Sequence, residues 1–261
     1  MPRYEETIFG TPCWIDLTTT DLEKVKPFYS ALFNWTFQDM GPEFGNYNLI
    51  SVGEDVVGGA MQYNAEFMGP NPINAWSLYF ATEDVESSIT KAVELGGEIR
   101  TPAMQVGDQG SMGEISDPSG ALVGLWQPGQ RKGFDRWGEH GFPGWFELHT
   151  RNYDDVGPFY SQLLEADLVT DTIGEGMRYG TLDVYDNQSA GIWDINGVMP
   201  DDYPAQWMIY LIVNDTDAAI ATAREHGGSV LMEPEDTEHG RMSSLQDPAG
   251  TVFNIISGEE E

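Results

Sequence analysis

Apolar and polar side chains alternate over residues 14–18, and the segment that follows changes to helical spacing. In the alternating segment Ile15 and Leu17 share one face, which predicts a strand with one buried side. The opposite face of that strand carries Trp14, Asp16 and Thr18. Apolar side chains then recur three or four positions apart, which predicts an amphipathic helix through Leu22, Val25, Tyr29 and Leu32.

The beginning of this helix carries two signals that favour different first residues. Thr20-x-x-Glu23 is a capping-box pattern, in which the threonine side chain caps the helix. Pro27 lacks a backbone donor, so the helix either begins near Lys26 with Pro27 in its first position or is kinked at Pro27. Pro158 poses the same alternatives later in the chain.

The rest of the first half continues as strands, a second helix and further strands. Residues 35–39, 47–52 and 56–63 are strand-like, and residues 76–81 alternate again. A helix over 84–95 ends at Gly96-Gly97, and the sequence DPSG at 117–120 indicates a turn between two strands. This order predicts two strand–helix–strands modules in the first half.

The second half repeats the first. Residues 145–160 (WFELHTRNYDDVGPFY) resemble residues 14–29 (WIDLTTTDLEKVKPFY), and residues 215–228 resemble 84–97 in the same order. The chain is therefore predicted to be a tandem duplication with four βαβββ modules, an α+β fold. We expect domains at 1–130 and 141–261, joined by a linker at 131–140 that is rich in glycine and charge.

The charge of the chain excludes some classes of partner. There are 43 acidic against 12 basic residues, a net charge of −31, so we expect no nucleic acid and no anionic membrane as a partner. The acidity favours either an ordinary acidic protein with good solubility or a protein adapted to high salt. Only four of the residues are lysines, which favours the second explanation.

Other global features bound the compartment. Cys13 is the single cysteine, so no internal disulfide forms. The chain has no apolar run long enough to span a membrane, and its beginning, with Glu5 and Glu6, does not look like a signal peptide. The sequence predicts a cytoplasmic protein and leaves its oligomeric state open.

Three short motifs occur in the same order in both halves: FY in the first helix, GG after the second helix and DPxG before the last strand. From about Thr11 to Ser257 this order resembles the vicinal oxygen chelate superfamily, which contains glyoxalases, bleomycin-resistance proteins and dioxygenases. Within it the chain is similar to two-domain glyoxalase-like proteins of actinobacteria, often labelled hydroxylase or antigen. The resemblance implies that each pair of modules curls an eight-stranded sheet into a cup that holds a ligand.

The resemblance also implies where metal ligands would stand. Metalloenzymes of the superfamily place a histidine or glutamine on the first strand of a module and a glutamate on the last strand. The corresponding positions here hold Trp14, Gly59, Ser77 and Gly124 in the first half, and Trp145, Gly191, Met208 and Asn254 in the second. None is a strong ligand for Zn²⁺, Ni²⁺ or Fe²⁺, so we expect no metal and no other cofactor.

Glu147 and His149 are the candidate catalytic residues. They are two residues apart on a strand, so both side chains point to one face, together with Trp145. The pair could act as a general acid or base, supply part of a metal site, or only hydrogen-bond inside a polar cup. The counterparts in the first half are Asp16 and Thr18, so we expect the second cup to be the better site.

Aromatic and polar side chains predicted to line the cups are the candidate ligand-binding residues. They are Trp14, Asp16, Tyr79, Trp126, Trp145, Tyr210 and Asn254. Two functions follow from this set. The first is a protein that binds or sequesters a small hydrophobic or aromatic metabolite. The alternative is a lyase- or oxygenase-type enzyme that uses Glu147 and His149.

Overall fold

The computed structural model describes residues 7–173 and 176–258. The first half contains two βαβββ modules and a short connecting helix. The first module and the connecting helix comprise β1 (Pro12–Thr19), α1 (Leu22–Phe33), β2 (Thr36–Asp39), β3 (Asn48–Val52), β4 (Asp55–Gln62) and α2 (Ala65–Met68). The second module comprises β5 (Ala75–Ala81), α3 (Val85–Glu94), β6 (Glu98–Val106), β7 (Gly110–Ser116) and β8 (Leu122–Pro128).

The second half repeats this order. Its first module comprises β9 (Pro143–Thr150), α4 (Tyr153–Leu164), β10 (Asp167–Ile173), β11 (Met177–Val184) and β12 (Asn187–Asp194). Its second module comprises β13 (Gln206–Ile212), α5 (Thr216–Glu225), β14 (Ser229–Thr237), β15 (Gly240–Gln246) and β16 (Val252–Ser257). The predicted fold, a tandem duplication with four βαβββ modules, is confirmed.

The two sheets have the same topology. Their strand orders are β2-β3-β4-β1-β5-β8-β7-β6 and β10-β11-β12-β9-β13-β16-β15-β14. The two modules of a half meet where their first strands pair antiparallel, which places Trp14 opposite Tyr79 and Trp145 opposite Tyr210. Each of these first strands also pairs in parallel with the last strand of its own module. The candidate residues therefore lie at the centre of each sheet.

One face of each sheet is covered by helices. Ile15 and Leu17 of β1 are fully buried there, in a single apolar core to which both halves contribute. Helix α1 packs against α5, and α3 packs against α4. Because strand side chains alternate, Trp14 and Asp16 project from the opposite face. We call this second face the first cup in residues 7–128 and the second cup in residues 143–258.

Reciprocal hydrogen bonds between the halves account for two of the repeated motifs. The phenol of Tyr29, in the FY motif of α1, donates to Oδ2 of Asp247, in the DPxG turn of the other half, at 3.1 Å. Tyr160 of α4 donates to Oδ2 of Asp117 at 2.9 Å. Both aspartates are buried. The two motifs recur together because each half supplies one partner of each bond.

The capping-box prediction is wrong by one residue. Asp21 caps α1, because its Oδ1 accepts from the backbone N–H of Lys24 at 3.1 Å. Thr20 instead donates both its backbone N–H and its hydroxyl to Oδ1 of Asn74. Helix α1 begins at Leu22 and contains Pro27, so the alternative in which it begins near Lys26 is also wrong. The corresponding Pro158 likewise lies inside α4.

The segment between β8 and β9 packs against both halves. Phe134 and Phe142 are buried, and the backbone N–H of Phe134 donates to the carbonyl of Cys13 at 2.8 Å. The indole of Trp35 donates to the carbonyl of Gly141 at 2.7 Å. The division into 1–130, 131–140 and 141–261 stays a prediction. Within the described ranges, no helix is long and apolar enough to cross a membrane.

Candidate functional site

Glu147 and His149 form a hydrogen-bonded pair at the centre of the second cup. Nε2 of His149 lies 2.7 Å from Oε1 of Glu147, and both side chains are almost fully buried. The phenol of Tyr210 donates to the same carboxylate oxygen at 3.0 Å. Strand alternation brings the two β9 residues to one face, and the antiparallel partner β13 supplies the tyrosine. The pair has the geometry for proton transfer between an imidazole and a carboxylate.

The other ring nitrogen of the histidine also has a partner. Nδ1 of His149 lies 3.1 Å from the hydroxyl of Tyr203, in the connection between β12 and β13. Burial raises the pKa of Tyr203, so its hydroxyl keeps its proton and can donate to Nδ1. Arg151 fixes this connection by donating to the carbonyls of Tyr203 at 2.6 Å and of Met199 at 3.1 Å. In the neutral imidazole, the proton would then stand on Nε2 and point at Glu147.

Two further phenols keep their protons next to Glu147. Burial, reinforced by the negative charge of Glu147, raises the pKa of Tyr179 and of Tyr210 well above the usual value for tyrosine. The hydroxyl of Tyr179 also accepts from Nε1 of Trp145 at 2.9 Å. Asn254 of β16 lies beside Tyr210 in the parallel register and is buried. Hydroxyl donors therefore surround the carboxylate on two sides.

The first cup holds a different carboxylate at the same strand position. Oδ1 of Asp16 accepts from Nε1 of Trp14 at 2.9 Å and from the hydroxyl of Tyr47. Burial raises the pKa of Asp16 from 3.8 to about 6, although the bonds from Tyr47 and Trp14 act in the opposite direction. The phenol of Tyr79 donates to Glu114 of β7 at 3.2 Å. This cup thus contains two carboxylates, each of which accepts from aromatic side chains of its own.

Apolar side chains form much of the lining of the first cup, and a basic residue lies over one of its aromatic rings. A buried cluster there contains Cys13, Trp14, Val56, Tyr79, Ala81 and Trp126, with Leu49 and Met112 packed against it. The guanidinium of Arg131 lies over the ring of Trp14, 6.0 Å from the ring centroid. The backbone carbonyl of Arg131 accepts from the indole of Trp126 at 3.1 Å. Burial raises the pKa of Cys13, so its thiol stays protonated.

The second cup differs from the first at matching positions. The sheet register sets Thr181 where the first cup has Leu49, and Ile256 where it has Trp126. Trp145 is half-buried, whereas its counterpart Trp14 is buried. Three buried polar atoms of this cup have no hydrogen-bond partner among the described residues: Thr181 Oγ1, Asp183 Oδ1 and Trp193 Nε1. Buried polar atoms are normally paired, so these three have hydrogen-bonding capacity that a ligand could use.

The residues at the metal-ligand positions implied by the resemblance do not fit a metal. A Cβ added at Gly59 would lie 1.6 Å from the hydroxyl of Tyr47, and one at Gly191 would lie 1.9 Å from that of Tyr179. Tyrosine hydroxyls therefore occupy the space that a longer acidic side chain would need. Within residues 7–173 and 176–258, no group of three or more histidine, cysteine or acidic side chains could hold a metal ion.

The structure brings the predicted residues together in two separate sets. Trp14, Asp16, Tyr79 and Trp126 lie in the first cup, and Trp145, Glu147, His149, Tyr210 and Asn254 lie in the second. The sequence analysis missed Tyr47 and Glu114 in the first cup, and Tyr179, Thr181, Asp183, Trp193 and Tyr203 in the second. Alternation within β11 and β12 could have found most of the second set. No periodic signal marks Tyr203, which lies outside the strands.

Comparisons with known proteins agree with this geometry. A family model described as the Glyoxalase/Bleomycin resistance protein/Dioxygenase superfamily matches residues 12–125 and 143–255. The chain is 36% identical to "Putative glyoxylase CFP32" of Mycobacterium tuberculosis, covering 98% of each chain. It is 32% identical to the anthracycline biosynthesis protein DnrV of Streptomyces peucetius, covering 96% of this chain and 94% of that one.

Solved structures show the same fold at low sequence identity. The Mn(II)-bound glyoxalase of Novosphingobium aromaticivorans has a TM-score of 0.65 at 16% identity, covering 98% of this chain and 84% of that one. The 2,3-dioxygenase LapB of Pseudomonas sp. KL28 has a TM-score of 0.66 at 14% identity, covering 97% and 94%. At these identities the likeness concerns the fold alone.

Proposed function

The chain belongs to the glyoxalase/bleomycin resistance protein/dioxygenase superfamily, and we propose that it binds a small aromatic metabolite in its second cup without a metal. The observation that carries the proposal is the buried pair of Glu147 and His149, 2.7 Å apart, in a cup that also holds unpaired polar atoms. A few convergent polar groups among aromatic walls are typical of small-molecule sites.

The aromatic walls favour a flat, ring-containing ligand. Trp145, Tyr179, Trp193, Tyr203 and Tyr210 surround the pair, and their rings supply apolar area with polar tips. The similarity to DnrV supports the same class, since the name of that protein places it in anthracycline biosynthesis and anthracyclines are built on fused aromatic rings. The first cup, which contains a buried apolar cluster, is proposed as a structural counterpart.

A thermal-shift screen of aromatic metabolites tests the binding function. Ligands should raise the melting temperature of the wild type, since any molecule that binds only the native state stabilises it. Glu147→Gln keeps the size of the side chain and removes its charge, and should reduce the shift at least by half. The matched control is Asp16→Asn, the same change at the equivalent position of the first cup, which should leave the shift intact.

Two results would contradict this assignment. The first is a shift that Asp16→Asn abolishes and Glu147→Gln preserves, which would move the site to the first cup. The second is a shift that survives both variants, which would put the ligand outside the cups.

A catalytic role is a second candidate, because Tyr203 and Glu147 hold the imidazole at both nitrogens. In this alternative Glu147 takes a proton from a carbon of the bound ligand. In a lyase reaction the electron pair left on that carbon then expels a leaving group from the neighbouring carbon, and without a leaving group the proton or a solvent proton returns to the first carbon. Residues of the cup supply every group in this step. The step uses no metal, because the described residues of the cup do not fit one.

Deuterium exchange separates binding from catalysis. Each ligand from the screen is incubated with the protein in D₂O, and mass spectrometry follows deuterium at carbon. A catalytic cup would exchange a proton in the wild type and lose the exchange in Glu147→Gln, while Asp16→Asn exchanges normally. Ligands that bind without taking up deuterium at carbon would indicate that the protein binds them and does not catalyse proton transfer.

A further inference from the structure

The unpaired atoms of the second cup form a track along two neighbouring strands. Thr181 and Asp183 lie on β11 on either side of Leu182, which is fully buried in the core, so their side chains face the cup. Trp193 of β12 lies opposite Tyr179, and its ring contacts that of His149 at 4.9 Å between centroids. The track therefore begins beside the Glu147–His149 pair and runs towards the β11–β12 turn.

The track has a defined length and chemical polarity. Tyr179, opposite Trp193, is four residues from Asp183, which corresponds to about 13 Å at the usual rise of a β-strand. The indole N–H of Trp193 can only donate a hydrogen bond, and a carboxylate oxygen of Asp183 can only accept one. The hydroxyl of Thr181 between them can do either.

The matching track in the first cup lacks these groups. The register sets Met61 in the place of Trp193, Leu49 in the place of Thr181, and Ser51 in the place of Asp183. The same comparison sets Val56 in the place of Gln188. The two halves thus share a backbone register, but only the second has this set of polar groups. One atom of each group has no hydrogen-bond partner among the described residues.

We propose that the second cup takes an extended aromatic ligand with hydrogen-bonding groups at both ends, which deepens the binding function proposed above. The ligand carries an oxygen acceptor at the His149 end, where Trp193 donates. It carries a hydroxyl or amino donor at the other end, about 13 Å of strand away, where Asp183 accepts. The half-buried Trp145 and the ring of Tyr179 hold the planar body of the ligand between these ends.

Two flavones that differ in one hydroxyl test this chemistry. Apigenin and chrysin share an extended aromatic body with a hydroxyl oxygen at one end, on the fused rings, and chrysin lacks the hydroxyl at the other end, on the lone ring. Calorimetric titration of the full chain should show apigenin binding at least ten times more tightly than chrysin, because a hydrogen bond to a carboxylate is one of the stronger kind.

Variants of the track assign the preference to its residues. Asp183→Leu keeps the size of the side chain and removes the acceptor, so it should equalise the two affinities. Thr181→Val should weaken both flavones, and Trp193→Phe should do the same by removing the donor. The matched control is Asp167→Leu, the same change at the exposed residue opposite Asp183 on β10, which should keep the tenfold preference.

Several outcomes would overturn the inference. They are no binding of apigenin up to its solubility limit, equal affinities in the wild type, a preference that persists in Asp183→Leu, or an equal loss in Asp167→Leu. A different result is that metabolites from the screen shift the melting temperature of the three track variants normally and no longer shift that of Glu147→Gln. That result would support the proposed function and contradict the ligand chemistry inferred here. Thr181→Val, the most conservative change, keeps the test decisive if another variant fails to fold.

Discussion

At the scale of single residues, the two cups differ in the hydrogen-bond partners of their central carboxyl groups, Asp16 and Glu147. Asp16 accepts from an indole and a phenol, whereas Glu147 is hydrogen-bonded to an imidazole and accepts from a phenol. Among the described residues no cationic side chain bonds to Asp16, which is 7% exposed, so neutral donors bond to its carboxyl in a poorly hydrated place. This is the reason that burial outweighs the hydrogen bonds and raises its pKa to about 6.

The raised pKa of Asp16 predicts a pH-dependent cost to stability. The folded state holds this proton more tightly than the unfolded state, so stability falls as pH rises from about 4 to about 6 and is then level. A rise in pKa from 3.8 to about 6 corresponds to about 3 kcal/mol above that window. Asp16→Asn keeps an oxygen acceptor and cannot ionise, so it should unfold with less of this pH dependence.

Denaturant unfolding at a series of pH values measures the effect. The free energy of unfolding of Asp16→Asn minus that of the wild type should grow across the window by an amount of this order. Glu54→Gln, at an exposed residue, is the control and should show no such growth. A difference for Asp16→Asn that is flat with pH would mean that the carboxyl titrates normally in the folded protein.

The sequence could identify the central residues and not their partners. Asp16, Glu147 and His149 were found because alternation along a single strand determines which side chains share a face. Tyr47 and Glu114 come from other strands, and their contacts depend on which strands are neighbours in the sheet. Tyr203 lies in a connection whose position is set by the bonds from Arg151, a tertiary contact that no local pattern contains.

At the scale of elements, helices α1 and α4 occupy equivalent places and begin differently. The side chain of Asp21 caps α1 by accepting from the N–H of Lys24. Asn152 stands at the equivalent position of α4 and makes no capping hydrogen bond with its side chain. Its backbone N–H donates to the hydroxyl of Thr150 at 3.0 Å, as that of Asp21 does to the hydroxyl of Thr19 at 3.3 Å, so the two helix starts differ in the side-chain cap alone.

This difference predicts unequal effects of removing the two caps. Asp21→Ala should lower the free energy of unfolding by about 1 kcal/mol, because it leaves a helix donor unpaired and removes a negative charge from the helix N-terminus. Asn152→Ala is the matched control and should cost less than half as much. Urea midpoints at constant slope give both numbers, and equal losses would show that Asp21 contributes nothing special as a cap.

The order of elements was predictable, and their ends were less so. GG, DPxG and the change from alternating to helical spacing mark each element, so the plan of four modules followed from the sequence. The capping-box prediction was wrong because Thr20 and Asp21 are both good capping residues, and a tertiary contact determines which of them caps the helix. Asn74, far along the chain, accepts from Thr20 and leaves Asp21 to cap the helix.

At the scale of the whole molecule, the halves form one unit with an acidic surface. Tyr29 and Tyr160 each reach an aspartate of the other half, and the apolar core is continuous across both. Arg136, Arg178 and Arg241 pair with neighbouring carboxylates. Twelve basic residues cannot neutralise 43 acidic ones, so repulsion among carboxylates acts on this unit as a whole.

That excess of charge predicts a rise in melting temperature with salt, and the shape of the rise separates the two explanations of the acidity. Screening shortens the reach of charge to about 10 Å at 0.1 M salt and about 3 Å at 1 M. Simple repulsion should therefore be relieved mostly below about 0.5 M NaCl, where the melting temperature would level off. Adaptation to high salt should keep the melting temperature rising into the molar range.

A triple variant, Glu54→Gln, Glu94→Gln and Glu235→Gln, serves as the comparison, because these residues are exposed and the change removes charge without changing shape. It should melt above the wild type at low salt and converge with it once repulsion is screened. A wild-type melting temperature that does not change with salt would mean that repulsion among the surface carboxylates does not affect stability. The surface charge would then act on solubility or on the approach of ligands, and the triple variant should bind the same metabolites at a changed rate.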